Sequence, residues 1–224
     1  MSKKSFNISL LGEGAVGKTS IVTAYTKNDF NFETLETTGI DFSYKKKTFD
    51  KKEYKFKIYD TAGQERYNSI SATTIQIADG FLMVFAVNEK KSFEKIVKWI
   101  NFINDHVNLE EKVLFLIGNK CDLDPEEIEV KKEEAEKLAK SFNAKYFETS
   151  AKTRKGINEA FEDIFKDIYE MYKKNQNNNN KNEKNNKNSK KEDNKNNKNS
   201  KFNLNDNNNA GNNENIKRKR CFFF

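Results

Sequence analysis

The stretch Gly12-Glu13-Gly14-Ala15-Val16-Gly17-Lys18-Thr19 constrains this chain more than any other. It fills every fixed position of the pattern G-x-x-x-x-G-K-[ST], and its flanks suit that pattern. Ile8, Leu10 and Leu11 before it read as the end of a buried strand, and Ile21, Val22 and Tyr25 after it recur at helical spacing. A strand, a glycine-containing loop and a helix in succession aim backbone N–H groups at a polyphosphate. The positive end of the helix dipole points the same way. On this reading Gly12 and Gly17 allow close backbone approach, Lys18 reaches the β- and γ-phosphates, and the Thr19 hydroxyl ligates Mg²⁺. Glu13, Gly14, Ala15, Val16 and Ser20 complete the cradle. The plain alternative is a glycine-containing turn joining a strand to a helix.

Past this helix, Glu33 to Thr38 shows no apolar periodicity and reads as an exposed loop. Ile40, Phe42 and Tyr44 alternate, as do Tyr54, Phe56 and Ile58, so two strands are expected with a turn at Asp50-Lys51-Lys52. Asp60–Glu65 reads as a further loop. Three apolar runs follow, Phe81–Val87, Val113–Ile117 and the shorter Tyr146-Phe147, and these suit buried parallel strands. Between and after them lie helical faces: Phe93, Ile96, Val97, Ile100 and Ile103; Ala135, Leu138, Ala139 and Phe142; Ile157, Phe161, Ile164, Ile168 and Tyr172. The alternation predicts an α/β fold, a doubly wound, mostly parallel six-stranded sheet with one antiparallel edge strand. Ligands bind such sheets at the carboxyl ends of the strands.

The domain is expected to span residues 1–174. From Lys173 onward lie 14 of the chain's 41 basic residues but only 5 of its 34 acidic ones, so this tail carries +9 and the preceding residues −2. Asparagine fills 21 of the 41 residues 175–215, a composition that cannot bury enough surface to offset ordering, so a disordered linker is expected there. The basic charge belongs to the tail, and no nucleic-acid partner is expected of the nearly neutral body. Cys121 and Cys221 give no disulfide framework, which suits a reducing compartment. No apolar run of membrane-spanning length and no signal-peptide-like segment is present, so a cytosolic pool is expected.

Four motifs in order carry a family resemblance: GEGAVGKT, DTAGQE at Asp60–Glu65, NKCD at Asn119–Asp122 and ETSAK at Glu148–Lys152. Together they resemble the Ras superfamily of small GTPases. TTGIDF at Thr37–Phe42 and QERYNSI at Gln64–Ile70 look like Rab switch sequences. The resemblance implies GTP and GDP binding with Mg²⁺, slow GTP hydrolysis, and partners in an exchange factor, a GTPase-activating protein and effectors. It makes Thr37 the switch threonine on Mg²⁺ (Thr38 beside it is the alternative) and Asp60 the acid that holds the metal. Gly63 would contact the γ-phosphate and Gln64 would orient the attacking water, since phosphoryl transfer needs positioning more than a strong base. Asp122 can accept two hydrogen bonds from guanine, a donor pair that adenine lacks. Asn119, the Lys120 stem, Phe30, Ser150, Ala151 and Lys152 complete the base pocket. Tyr59 and Thr74-Ile75-Gln76 depart from the Rab pattern, and Phe85–Asn88 and Thr149–Gly156 look more like Ras. A Ras-type signalling GTPase, or a GTP-binding scaffold without turnover, are the alternatives to a Rab-like regulator of vesicle trafficking. The surface commonly read by Rab effectors maps onto Phe42, Tyr59 and Thr74.

Residues 216–224, Ile-Lys-Arg-Lys-Arg-Cys-Phe-Phe-Phe, fit a polybasic C-a-a-X anchor with Cys221 as the lipidated residue. Lipid and basic cluster together would hold the protein on a cytoplasmic membrane face. A prenyltransferase, and a GDP-dissociation inhibitor, are implied as partners.

Overall fold

The computed structural model of the protein describes residues 5–27, 40–61 and 68–177. Two units divide the chain, Met1–Gln176 and Asn177–Phe224, and the fold is that of the first. Its strands are β1 (Ser5–Leu11), β2 (Ile40–Phe49), β3 (Lys52–Thr61), β4 (Gly80–Ala86), β5 (Val113–Asn119) and β6 (Lys145–Glu148). Its helices are α1 (Lys18–Lys27), α2 (Asn68–Ile77), α3 (Lys90–Glu94), α4 (Ile96–Asn104), α5 (Lys132–Ser141) and α6 (residues 157–177). One six-stranded sheet runs in the order β2-β3-β1-β4-β5-β6. The β2–β3 pair is antiparallel and every other pairing is parallel. This is the doubly wound, mostly parallel sheet with an antiparallel edge that the apolar runs predict.

The hairpin closes through Asp50 and Lys51, both at positive φ (47° and 62°), the geometry of a tight two-residue connection that matches strand twist. β4 and β5 are buried along their whole length. They lie in the middle of the sheet, so both faces are covered. On one face α1 and α6 pack over Ile8, Leu10, Phe56, Leu82 and Phe115. Tyr25 of α1 stacks on Phe161 of α6 with ring centroids 4.0 Å apart. On the other face α4 and α5 cover Phe81, Met83, Phe85 and Leu116.

Two expected faces differ in detail. The expected helix over Phe93–Ile103 is two consecutive helices joined at Lys95, which is itself in the helical region, so the axis continues. Its buried side carries Trp99 in place of Val97, which is 38% exposed. A position three residues after Ile96 faces the sheet as well as one four after it. On β2 the alternating Phe42 and Tyr44 turn outward, 47% and 45% exposed, while Tyr54, Phe56 and Ile58 of β3 turn into the core. The stretch expected as a loop from Asp60 begins later, because Asp60 and Thr61 are the last, buried residues of β3. Thr61 Oγ1 donates to the Leu10 carbonyl at 2.6 Å, which ties that strand end to β1.

Every parallel strand therefore delivers its carboxyl end to one edge: Leu11 into Gly12, Thr61, Ala86, Asn119 and Glu148.

Candidate functional site

The loop after β1 is shaped by the protein's own backbone. Gly12 and Gly17 have φ of +143° and +95°, and Ala15 sits in the left-handed region at +59°. A Cβ on Gly12 would meet the Val84 carbonyl oxygen at 2.1 Å, and one on Gly17 would meet Asn119 Nδ2 at 2.3 Å. The glycines thus let the loop press against β4 and against Asn119, a tighter demand than the ligand approach expected of them. Lys18 opens α1 and folds back, its Nζ donating to the carbonyls of Gly12 (2.8 Å) and Glu13 (2.7 Å). Burial pulls its pKa down to about 8, against the opposing pull of Asp60 and Glu13. A buried ammonium whose hydrogen bonds, among the described residues, go to two carbonyls is a ready partner for phosphate oxygens.

Asp60 reaches the same place from the end of β3. Burial raises its carboxyl above the usual range, with the Thr19 hydroxyl bond and the Lys18 charge acting the other way. Among the described residues its Oδ1 is buried with no hydrogen-bond partner. An unpaired buried carboxylate oxygen beside a threonine hydroxyl is a hard-oxygen donor pair, and it fits Mg²⁺, which takes its remaining ligands from water and phosphate. Thr19 and Asp60 would hold the ion, which would draw charge off the phosphoryl oxygens.

The second half of the site is built by β5 and the loop after β6. Asn119 is buried and ties three loops together. Its Nδ2 donates to the Val16 carbonyl (2.9 Å), and its Oδ1 accepts from Thr149 Oγ1 (3.2 Å) and Ala151 N (3.3 Å). Ser150 Oγ donates to Asp122 Oδ1 at 2.5 Å, and Lys152 Nζ lies 3.9 Å from Asp122 Oδ2. Lys120 takes a φ of +67°, which turns the chain between Asn119 and Asp122. Cys121 N donates to the Thr149 carbonyl at 3.1 Å, so the two loops are sewn at the backbone as well. Burial raises the Cys121 thiol pKa, as suits a packing residue rather than a nucleophile.

The described residues bring Gly12–Ser20, Asp60, Asn119, Lys120, Asp122 and Ser150–Lys152 to one edge of the sheet. Phe30, Thr37, Gly63, Gln64 and Cys221 lie outside the described residues.

Residues 7–170 match the Ras family. The chain belongs to it. Among its relatives, Ras-related protein Rab-13 of Bos taurus is 36% identical over 163 residues, covering 73% of this chain and 79% of its own. Ras-related protein Rab-10 of Diplobatis ommata is 37% identical over 174 residues, covering 76% and 86%. Ras-related protein Rab-8B of Homo sapiens is 37% identical over 163 residues, covering 73% and 78%. This Ras-family chain is a Rab-like small GTPase: it binds GTP and GDP with Mg²⁺, hydrolyses GTP, and works with exchange factors, activating proteins and effectors.

One expectation about its surface needs correction. Of the three positions mapped as an effector patch, Phe42 is exposed, but Thr74 is only 2% exposed and packs inward, with Ser9 Oγ 3.4 Å from its hydroxyl. The structure also supplies contacts that the sequence does not suggest. Glu13 is held by Lys95 and Trp99, 82 and 86 residues away, and Thr149 supports Asn119. Such contacts carry no local signal in the chain.

Proposed function

We propose that this GTPase is a Rab-type switch that regulates vesicle traffic from the cytoplasmic face of a membrane. The observation that supports it is the shared edge. Lys18, Thr19 and the unpaired Asp60 oxygen stand at one part of it, and Asn119, Asp122 and Ser150 at another. A polyphosphate at the first and a guanine at the second make a guanosine triphosphate. Lys18 would exchange its two carbonyl contacts for β- and γ-oxygens, and the amides from Gly14 to Ser20 would line the phosphates. Asp122, already oriented by Ser150, would read the base, while Asn119, Lys120, Ala151, Lys152 and Phe30 would enclose it. Thr37 and Gly63 would sense the γ-phosphate and order their loops only while it is present. Gln64 would position the attacking water, and an arginine from an activating protein would speed the step.

The domain boundaries proposed are a G domain to residue 174, an Asn/Lys-rich linker over 175–215 and an anchor at 216–224. Among the described residues no helix is long and apolar enough to cross a membrane. Attachment is assigned to a prenyl group on Cys221 with Lys217–Arg220 beside it, installed by a prenyltransferase and extracted by a GDP-dissociation inhibitor.

Single-turnover assays with GTP and ATP test the catalytic reading. Wild type should hydrolyse GTP and ignore ATP, Gln64→Leu should bind but hydrolyse slowly, and Asp122→Ala should lose its preference for guanine. Equal turnover by wild type and Gln64→Leu would sink the role of Gln64 and favour a scaffold. Fractionation with and without Cys221→Ser tests the anchor, because a membrane fraction indifferent to that change places attachment elsewhere.

A further inference from the structure

Glu13 puts a carboxylate into a loop built to receive polyanions. Its backbone carbonyl accepts from Lys18 Nζ at 2.7 Å, so the residue belongs to the loop's innermost turn. Its side chain leaves the loop and is met from the helix pair on the far side of β4. Lys95 Nζ lies 2.7 Å from Oε2, and Trp99 Nε1 donates to Oε1 at 3.2 Å. The Glu13 side chain is 15% exposed and that of Lys95 38%, so the pair is shielded on the loop side and wet on the other. Both oxygens are engaged by groups on one short stretch of helix, Lys95 at the α3–α4 junction and Trp99 one turn on.

An uncompensated carboxylate so near the Lys18 ammonium would repel the incoming phosphates, and repulsion grows where water is excluded. Exposed ion pairs ordinarily contribute little, but this one stands beside a binding site for several negative charges. We infer that Lys95 is the counter-ion of the phosphate loop: it neutralises Glu13, so that a loop carrying a carboxylate still accepts a nucleoside triphosphate. Trp99 holds the carboxylate in place for that pairing. Lys95 is thereby a positioning and charge-balancing residue for nucleotide binding, although it lies outside every phosphate- and base-binding motif. The inference rests on Gly12–Thr19 being the polyphosphate cradle.

A mechanical tether and a charge balance make opposite forecasts. If the contact were only a tether, removing either partner would loosen the loop and speed the release of both nucleotides alike. With charge balance, Lys95→Met takes the ammonium away from the Glu13 carboxylate, and Glu13→Gln takes away the negative charge that offsets Lys95. The triphosphate, with more charge than the diphosphate, feels each change more. The experiment is the dissociation rate of fluorescent GDP and of a fluorescent non-hydrolysable GTP analogue from the full chain with Mg²⁺. Lys95→Met should speed analogue release about threefold to tenfold more than GDP release, and the gap should narrow as salt is added. Glu13→Gln, which keeps an acceptor for Trp99, should shift the ratio the other way. Lys95→Arg should behave as wild type, and Glu13→Gln with Lys95→Met should return the ratio to within about twofold of it. Should Lys95→Met not fold, Glu13→Gln and Lys95→Arg still decide. Both single changes moving the ratio in the same direction, or neither moving it, would overturn the inference. A wild-type chain that binds neither nucleotide would instead bring down the cradle reading itself.

Discussion

A Cβ built on Gly17 would lie 2.3 Å from Asn119 Nδ2 at a φ of +95°, so an alanine there is strained in its backbone and displaces a buried amide. That amide holds the Val16 carbonyl, and its oxygen holds Thr149 and Ala151. Backbone strain and a broken buried hydrogen bond each cost on the order of 1–3 kcal/mol. Gly17→Ala should therefore lose about 2–5 kcal/mol in urea denaturation and bind guanine nucleotide far more weakly. Gly14 has nothing within 4 Å of its added Cβ, so Gly14→Ala should unfold within about 0.5 kcal/mol of wild type. Equal losses at the two sites would show that Asn119 does not depend on the space at Gly17. The positions of these glycines are legible from the motif alone. The atoms that forbid a side chain, Val84 O and Asn119 Nδ2, are not, because they arrive from strands paired far along the chain.

Among the elements, α6 and α1 are held to the sheet by aromatic packing whose central member is Phe161, fully buried and stacked on Tyr25. Phe161→Ala should lose about 3–5 kcal/mol in denaturation of the nucleotide-loaded protein, as large-to-small changes in tight cores do. A loss under about 1 kcal/mol would mean that the helix seats elsewhere. At α2, Thr74 faces β1 rather than solvent. Thr74→Tyr should therefore lower stability by about 1–3 kcal/mol through overpacking and should build no aromatic surface. Calorimetric binding to Rab effectors, together with a thermal melt, checks both halves. Element order and type were readable because apolar runs and 3.6-residue faces survive in the sequence. Which residue of a face points inward was less so: Trp99 for Val97, and the outward turn of Phe42 and Tyr44, follow from the sheet's position and not from periodicity. For the site, the four motifs name nearly every group at the edge, whereas Lys95 is reached only through the fold.

At the scale of the molecule, charge is divided where the fold ends. Residues 177–224 hold 12 basic and 5 acidic groups, a net +7, which is the formal charge of the whole chain, so residues 1–176 are neutral. A neutral folded unit and a cationic tail should separate cleanly in binding to anionic lipid, at roughly 1 kcal/mol for each basic residue near the surface. Unlipidated full-length protein should cosediment with vesicles containing phosphatidylserine and should not with neutral ones. Binding should fall steeply as salt shortens the screening length. Truncation after Gln176 should abolish it, and replacing Lys217, Arg218, Lys219 and Arg220 with glutamine should remove about a third of the attraction, since they supply four of the twelve tail cations. One surface of the folded unit could compete for this role. On the outward side of the β2–β3 hairpin Lys57 lies 3.8 Å over the Phe42 ring and Lys55 lies 3.5 Å over Tyr44. Those ammonium groups are spent partly on the rings beneath them, and Lys46 on the same side is paired with Glu53 at 3.0 Å. The hairpin ammonium groups are thereby less available to a lipid surface. Vesicle binding that survives truncation and is lost in Lys55→Gln with Lys57→Gln would assign the attraction to the hairpin instead.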